Sequence, residues 1–307
     1  MRVAVCVITC RRPEGLQRLL RALNALTFRS DPPDVEVIVV DNDADTSAAS
    51  VCDLLRRDLN WPLRYEVEPQ RGIPFARNRA VACAADTADF VSFIDDDEVP
   101  QPSWLDELLA VQHLYNADVV TGPVVPHFPE GVPDWVVKEQ VFELDRYPTG
   151  RRLDKAYTHN VLVRVGVFKA METIFDGRMA LTGGSDTHFF KRVHRAGFSI
   201  VWADQAVVFE WIPSSRTRLR WVLQRAYRVG NSAGLMEADL NRSVSSRVRF
   251  VLNAYAKFAE GMLYLPLWLF VGRRAAVHAL RRICQVAGML AGLAGRRYEE
   301  YRKIHGA

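Results

Sequence analysis

The chain has 307 residues, of which 49% are hydrophobic and 25% are charged. This composition is that of an ordinary globular protein, and it excludes a disordered chain, a collagen-like repeat and a disulfide-knotted scaffold. Five cysteines lie scattered along the sequence without a Cys-x-x-Cys pair. They indicate reduced thiols in a cytosolic compartment rather than a zinc site. The length suits one mid-sized domain with an appendage, or two domains.

The charge is unevenly distributed between the body and the tail of the chain. Residues 1–241 hold 28 basic and 33 acidic side chains, a net charge of −5. Residues 242–307 hold twelve basic side chains, ten of them arginine, and three acidic ones, a net charge of +9. An acidic body with an arginine-rich tail indicates a polyanionic surface as partner.

Two uncharged apolar blocks, residues 261–272 and 283–295, interrupt the basic tail. Each is shorter than the roughly 20 residues that a bilayer-crossing helix needs, and arginine pairs at 273–274 and 281–282 flank them. We therefore predict helices that lie in the membrane interface, or a shallow re-entrant hairpin, and no nucleic-acid partner. Packing of these helices on the body or on a second subunit remains the alternative.

In chain order, short runs of β-branched residues alternate with segments of helical periodicity. The first run, at the start of the chain, predicts a buried strand rather than a secretory signal. The predicted strands are Val3–Thr9, Val35–Val40, Leu63–Val67, Phe90–Ile94 and a strand within Asp118–Gly122. The predicted helices are Glu14–Leu26, Ser47–Arg57, Phe75–Ala85 and Trp104–Leu114. This alternation predicts an α/β fold with a mostly parallel sheet and helices on both faces.

Acidic residues follow directly on two of the predicted strands. Asp41 ends the second strand, and Asp95, Asp96 and Asp97 follow Phe90–Ile94. Because ligands of open α/β sheets bind outside the carboxyl ends of the strands, we expect the two acidic sites to converge. Three neighbouring carboxylates repel one another unless a cation lies between them, so the triplet indicates a metal–diphosphate site. A solvated turn before the next helix is the alternative.

A further acid, Asp186, follows the sequence Gly183-Gly184-Ser185. The two glycines allow the backbone to approach a ligand closely, and Ser185 or Asp186 can cap the following helix. Backbone N–H groups at a helix start stabilise an ionised carboxylate, so Asp186 is a candidate general base. The alternative is a residue that only caps the helix.

Five segments follow one another along the chain: VAVCVITCRRP, VVDND, RGIPFARN, FIDDDEVPQPSWL and GGSDTHFFKRV. In order and spacing they resemble the family 2 glycosyltransferases of GT-A fold. They are similar especially to bacterial enzymes that extend lipid-linked exopolysaccharide repeat units, such as the succinoglycan glucosyltransferases. The resemblance covers residues 1–230. It implies a catalytic domain over 1–230, followed by a basic, amphipathic, helical membrane-associating region over 231–307.

The resemblance implies a donor pocket at the carboxyl ends of the first strands. There Asp41 would hydrogen-bond the uracil or ribose, and Arg77 would reach the nucleotide or its diphosphate. The residues expected to contact the nucleotide sugar are Thr9, Arg11, Asp41, Arg77, Asp95 and Asp96.

The resemblance also implies a divalent metal, Mg²⁺ or Mn²⁺, and a general base. Asp97 would bind the ion directly, with Asp95 at the ribose or in the metal shell, and Asp186 would be the base. Family members often carry a histidine as a further metal ligand where this sequence has Glu210. Glutamate is a competent ligand for a hard cation.

Acceptor contacts are expected from Asn160, Gly184 and Ser185, although Ser185 stands where the family usually has glutamate. Residues 217–221, Thr-Arg-Leu-Arg-Trp, only partly match the Gln-x-x-Arg-Trp motif of processive synthases. Addition of one sugar is therefore favoured over polymerisation.

Together these features predict an inverting, metal-dependent transferase that moves one sugar from a nucleotide sugar, a UDP-sugar, to a lipid-linked saccharide. The expected place is the cytoplasmic face of the bacterial inner membrane. One alternative is a sugar-phosphate nucleotidyltransferase, which usually needs a glycine-rich basic loop after the first strand. Residues 11–13, Arg-Arg-Pro, are basic but lack the glycines. The other alternative is a non-catalytic membrane scaffold of the same fold.

Overall fold

The computed structural model describes residues 1–138, 140–241 and 243–302, without the side chains of residues 267–271 and 302. Its strands are β1 (Arg2–Thr9), β2 (Asp34–Asp41), β3 (Leu63–Val67), β4 (Phe90–Ile94), β5 (Glu98–Pro100), β6 (Val119–Thr121), β7 (Val124–His127), β8 (Asn160–Arg164), β9 (Ile200–Trp202) and β10 (Val208–Trp211). The α-helices are α1 (Pro13–Leu23), α2 (Ala49–Leu55), α3 (Ile73–Ala84), α4 (Trp104–Tyr115), α5 (Asp134–Lys138), α6 (Val165–Ala170), α7 (Ser185–Arg195), α8 (Leu219–Leu240), α9 (Val244–Val271) and α10 (Arg273–Leu293). Short 3₁₀ helices lie at Gly177–Met179, Ser214–Thr217 and Glu300–Arg302.

A seven-stranded sheet with the order β3-β2-β1-β4-β8-β6-β9 forms the centre of the molecule. Strand β1 pairs in parallel with β2 and β4, and β8 runs antiparallel to β4 and β6. A second sheet of three strands has the order β5-β10-β7. The prediction of an α/β fold with a mixed, mostly parallel sheet is therefore confirmed.

The main sheet is buried on both faces because successive side chains of a strand point in opposite directions. Val3, Val5 and Val7 of β1 pack on one side with residues of α1, α2 and α4. Ala4 and Cys6 pack on the other side with residues of α3, α6 and α7. Uninterrupted apolar strands of this kind are typical of parallel sheets covered by helices on both faces.

The predicted elements agree with the structure in kind, and the differences lie at their ends. Strands Leu63–Val67 and Phe90–Ile94 have the predicted limits. The second helix begins at Ala49 and ends at Leu55, inside the predicted Ser47–Arg57, and before its start the carboxylate of Asp41 accepts a hydrogen bond of 2.7 Å from the backbone N–H of Ala48. This bond holds the turn before α2 at the sheet edge.

The three long C-terminal helices form a layer of their own. Helix α10 packs closely on α8 through Gly230 and Gly234 on one helix and Gly288 and Gly292 on the other. The second apolar block, residues 283–295, therefore packs its glycine face against α8, while Leu290 stays exposed. Its predicted contact with a membrane interface stays a prediction. Helix α10 thus packs within the helical layer, on α8 and α9.

Helix α9 packs on α10 along one side and exposes large apolar side chains along the other. Among the described residues, no helix is long and apolar enough to cross a bilayer. The first apolar block, residues 261–272, falls at the end of α9, where the side chains of residues 267–271 lie outside the described set. The predicted boundary after residue 230 falls inside α8, which joins the body to the helical layer.

Candidate active site

The carboxyl ends of β1, β2 and β4 meet at one edge of the main sheet. Thr9 lies opposite Asp41 in the register of β1 and β2. The hydroxyl of Thr9 donates a hydrogen bond of 2.7 Å to Oδ2 of Asp96, which follows β4. The two acidic segments, distant in sequence, therefore lie on either side of β1, as expected from the parallel topology.

The three consecutive acids after β4 have different partners. Asp96 is buried, and its second oxygen, Oδ1, accepts a hydrogen bond of 2.9 Å from Arg12. Asp97 accepts from Arg12 at 3.1 Å through Oδ2. Asp95 opens to the crevice and pairs with Arg77, with Nη2 3.6 Å from Oδ1. The expected nucleotide contact of Asp96 is corrected, because the protein itself engages both of its oxygens.

The environment of Asp95 disfavours its charged form. Protein atoms surround the carboxyl group of Asp95, although 36% of its side-chain surface is exposed to solvent. This burial raises the pKa of Asp95 to about 7, in spite of the opposing charge of Arg77. The neighbouring carboxylates of Asp97, Asp96 and Asp186 raise it further.

Two glutamates approach the same acids from the small sheet. Glu98 of β5 lies opposite Glu210 of β10 in an antiparallel pair. Glu98 is buried and accepts a hydrogen bond of 2.8 Å from the backbone N–H of Asp95, and burial raises its pKa well above the usual range. The backbone N–H of Trp211 donates to the carbonyl of Asp97 at 2.8 Å, which places Glu210 beside Asp97. Sequence reasoning missed Glu98, whose proximity depends on this pairing.

Arg12, not Arg11, points into the acid cluster. Arg11 has a positive φ of 55° and turns outward to pair with Asp43 and Asp45, at 2.9 Å in each case. Arg11 therefore lies at the rim with a half-exposed guanidinium, and its contact with the nucleotide stays a prediction. Arg12 is the N-cap residue of α1 and was missed, since adjacent arginines in a sequence do not reveal which one points inward.

Asp41 is fully buried and has protein partners of its own. Its Oδ2 accepts hydrogen bonds from the backbone of Ala48 and, at 3.0 Å, from the hydroxyl of Tyr65. Burial raises the pKa of Asp41, and these bonds act against that shift. Asp41 therefore ties the turn before α2 and Tyr65 of β3 to the carboxyl end of β2, and its predicted bond to the uracil or ribose stays a prediction.

The glycine loop before α7 brings Asp186 towards Asp95. Gly183 and Gly184 have φ values of 73° and 85°, a backbone region that favours glycine. Asp186 lies in the first turn of α7, and its charge acts on the carboxyl of Asp95 and on the imidazole of His159. Gly184, rather than a side-chain donor or acceptor, occupies the N-cap position.

Arg77 connects the two halves of the site. From the buried face of α3, it reaches Asp95 with one nitrogen and donates a hydrogen bond of 3.5 Å to the hydroxyl of Ser185 with another. Ser185 is itself buried, so its predicted acceptor contact would require access that this arrangement does not provide. Arg77 lies where it can bind an anion between the acids and the glycine loop.

Asn160 has a structural position. Its side chain is completely buried at the start of β8. The amide oxygen accepts from the indole of Trp104 at 2.8 Å, and the amide nitrogen donates to the carbonyls of Pro123 and Ala206 at 3.0 and 2.7 Å. The expected acceptor contact is corrected, since both amide hydrogens are used inside the protein.

The segment after α10 returns to the glycine loop, which no sequence signal predicted. Asn231 of α8 bonds the backbone at Arg296 and Tyr298, at 2.8 and 3.0 Å. The backbone N–H of Tyr301 donates to the carbonyl of Leu181 at 3.1 Å. The structure therefore adds the C-terminal segment to the surroundings of Asp186.

A separate cluster joins Asp176, His188 and Asp239 with the geometry of a possible metal site. His188 lies 2.9 Å from Asp239. The Arg178 guanidinium also bonds both carboxylates, so an ion here would have to compete with it. The cluster therefore connects the start of α7 and the end of α8 through an ion-pair network.

The fold and the acidic sheet edge define the class of the protein. The mixed sheet with helices on both faces is consistent with the GT-A fold, and residues 4–175, more than half of the chain, match the family model of glycosyl transferase family 2. The chain therefore belongs to glycosyltransferase family 2 and is a glycosyltransferase.

Two relatives are similar to this chain over most of its length. The chain is 31% identical over 304 residues to the succinoglycan biosynthesis protein ExoM of Rhizobium meliloti (strain 1021), covering 98% of this chain and 96% of that protein. It is 23% identical to a glucosyl-dolichyl phosphate glucuronosyltransferase of Haloferax volcanii, over 76% of each chain. The protein is thus related to a protein of succinoglycan biosynthesis.

Solved structures share the fold. The mannosyltransferase PcManGT from Pyrobaculum calidifontis, in complex with GDP-Man and Mn²⁺, superposes with a TM-score of 0.64 at 17% identity, covering 96% of this chain and 88% of that one. S. aureus TarS 1-349 in complex with UDP gives a TM-score of 0.54 at 19% identity, with 97% and 93% coverage. At these identities the likeness concerns the fold alone.

Proposed function

We propose that the protein transfers one sugar, with inversion, from a UDP-sugar to a lipid-linked saccharide in polysaccharide biosynthesis. The observation that carries the proposal is the meeting of Asp95, Asp97 and Asp186 around one crevice, with Arg77 between the two halves. The relation to a succinoglycan biosynthesis protein supports the same class of product.

The donor lies along the carboxyl edge of the sheet in this proposal. The wall formed by Thr9, Asp41 and the rim residue Arg11 receives the nucleoside. Asp95, which opens to the crevice, faces the ribose or the sugar, and Arg77 faces the diphosphate. Arginine suits this position because its planar guanidinium binds phosphate through two parallel hydrogen bonds.

The residues beside this path fit a hard divalent cation. Asp97, in the turn between β4 and β5, and Glu210, in β10, present carboxylate oxygens, which are the ligands that Mg²⁺ and Mn²⁺ prefer. We assign the ion to these two side chains. When bound, it neutralises the charge that develops on the departing diphosphate.

The chemical step requires a base opposite the leaving group. The acceptor hydroxyl oxygen forms a bond to the anomeric carbon as the bond from that carbon to the diphosphate oxygen breaks. Asp186 takes the hydroxyl proton, and the nucleoside diphosphate leaves with the electron pair. Arg77 and Arg12 hold the acids in place and offset the negative charge of the crevice.

The surface of α9 supports an acceptor that is bound to a membrane. Its outer side carries an apolar stripe, with Leu252, Tyr255 and Leu263 between 63% and 72% exposed. Arg247 and Arg249 are exposed on the same helix. An apolar stripe with arginines beside it suits an anionic bilayer surface, and we place that surface at the cytoplasmic face of the bacterial inner membrane.

The testing experiment is a transfer and donor-hydrolysis screen over UDP-, GDP- and dTDP-sugars with Mn²⁺, on wild type and Asp186→Asn. The asparagine keeps the shape but cannot take the proton, so activity should fall about 10²–10⁴-fold while donor binding changes little. Asp53→Asn, an exposed acid on α2, is the matched control and should behave as wild type.

Two results would count against the proposal. Activity above about a tenth of wild type in Asp186→Asn removes this residue from the role of base, because general-base catalysis is worth at least about 10²-fold. UDP binding by the wild type without transfer or donor hydrolysis would favour the non-catalytic scaffold.

A further inference from the structure

Arg216 lies between the two carboxylates assigned to the ion. Its Nη1 atom is 3.2 Å from Oδ2 of Asp97 and 3.0 Å from Oε1 of Glu210. All three side chains are at most 17% exposed, so water screens their charges poorly. The guanidinium therefore supplies the positive charge that these two acids share.

The same oxygen of Asp97 accepts from a second arginine. Arg12 donates to Oδ2 of Asp97 at 3.1 Å and also to the buried Asp96 at 2.9 Å. A divalent ion shared by Asp97 and Glu210 would lie between the two carboxylates, where the guanidinium of Arg216 now bridges them, so ion and guanidinium compete for the same position.

Arg216 is the more readily displaced of the two arginines. Arg12 retains Asp96 as a buried partner when it loses Asp97. The carboxylate partners of Arg216 are Asp97 and Glu210, the two side chains that the ion itself would engage. Its backbone also belongs to the single 3₁₀ turn Ser214–Thr217 between β10 and α8, which can move more easily than a strand or a long helix.

We propose that Arg216 exchanges with the metal: it neutralises Asp97 and Glu210 in the free protein, gives way to the ion, and then pairs with the donor diphosphate. This inference rests on the proposed donor and metal sites. A guanidinium released beside a diphosphate finds a partner of matching geometry and charge. Arg216 therefore weakens binding of the ion, with which it competes, and strengthens binding of the donor, whose diphosphate it attracts.

The test compares Arg216→Met, which keeps the length of the side chain without its charge, with Arg218→Met, an exposed arginine two residues on. Mn²⁺ binding to the donor-free protein is measured by electron paramagnetic resonance. UDP binding at saturating Mn²⁺ is measured by calorimetry. We expect Arg216→Met to bind Mn²⁺ at least about fivefold more tightly and UDP at least about tenfold more weakly, and Arg218→Met to match wild type. A purely structural role would weaken both.

Unchanged or weaker Mn²⁺ binding in Arg216→Met overturns the exchange. Arg216→Lys, which keeps the charge, should return Mn²⁺ affinity towards the wild-type value, and Arg216→Gln repeats the test should the methionine variant not fold. Asp97→Ala separates this inference from the function it rests on. If that variant binds Mn²⁺ as wild type does, the metal site and the exchange both fail. If it loses Mn²⁺ while Arg216→Met is unaltered, the exchange alone fails.

Discussion

Single residues in the crevice are stabilised by partners from distant parts of the chain. Asp96 depends on Arg12, and Asp95 depends on Arg77 of α3. Buried carboxylates of this density are costly unless each has a hydrogen-bonded or charged neighbour. The arginines therefore offset the negative charge of the acids and hold their side chains in place.

His159 gives the site a pH-dependent contribution to stability. Burial lowers its pKa to about 4, although the carboxylate of Asp186 acts in the opposite direction. An unfolded histidine takes up its proton near pH 6.5, so the unfolded state binds more protons between pH 6.5 and 4. Stability that is present above pH 6.5 should therefore be lost as pH falls towards 4.

The measurement is urea unfolding at pH 7.0, 5.5 and 4.5. His159→Gln should lose less stability than wild type over this range, because glutamine does not titrate. His194→Gln, on the exposed side of α7, is the control and should follow the wild-type curve. Parallel pH profiles for His159→Gln and wild type would contradict the expectation.

The sequence predicted correctly the location of those residues whose place depends only on their position along a strand. Asp41 and Asp95 to Asp97 lie where the strand ends put them. Asn160 was misjudged because its partners, Trp104 among them, come from other elements. The direction of Arg12 follows from the local backbone of Arg11, which the residue types do not reveal.

At the scale of elements, the helical layer depends on close contact between α8 and α10. A Cβ atom at Gly288 would lie 2.0 Å from the carbonyl oxygen of Tyr227 and 2.8 Å from the backbone nitrogen of Asn231. Both are backbone atoms, which cannot yield as a flexible side chain does. The two helices would therefore have to separate.

Gly288→Ala should destabilise the protein by at least about 2 kcal/mol, because an added methyl group overpacks a helix interface. Gly166→Ala in α6 has nothing within 4 Å of the added Cβ and should be neutral or slightly stabilising. Chemical unfolding of both variants against wild type gives the comparison. Equal stability of the two variants would show that α8 and α10 are not held by this contact.

The strands and helices before α8 were predictable because their periodicity is strong. The packing of α8, α9 and α10 was only partly predictable. Apolar residues in the segment 283–295 fit a membrane interface and a helix interface equally well. The glycines Gly288 and Gly292 decide in favour of close packing, but only with Gly230 and Gly234 facing them. Spacing alone does not pair two helices that are more than 50 residues apart in sequence.

At the scale of the whole molecule, the C-terminal segment connects the helical layer to both sides of the crevice. Glu300 pairs with Arg228 of α8. The backbone carbonyl of Tyr301 accepts a hydrogen bond of 3.0 Å from Arg71, which precedes α3. A Cβ at Gly183 would lie 2.8 Å from the ring of Tyr301. The layer that carries α9 is therefore continuous with the glycine loop that precedes Asp186.

This continuity would place a membrane-bound acceptor within reach of the base, and α9 is the element to test. We expect wild type to float with vesicles containing about 30% anionic phosphatidylglycerol and to float less as salt rises. The triple variant Leu252→Ser, Tyr255→Ser, Leu263→Ser should reduce the floated fraction at least about threefold, since apolar burial drives interfacial binding. Leu54→Ser with Leu114→Ser removes leucines of similar exposure from the body and should leave flotation unchanged.

Size-exclusion chromatography of the same proteins separates a membrane surface from a second copy of the chain. If the triple variant changes a dimer into a monomer while wild type does not float, α9 is a subunit interface and the membrane assignment is wrong. If wild type and the triple variant float equally, the apolar stripe is not the contact. Loss of flotation at unchanged oligomeric state supports a bilayer beside the helical layer, on which the delivery of a lipid-linked acceptor to Asp186 depends.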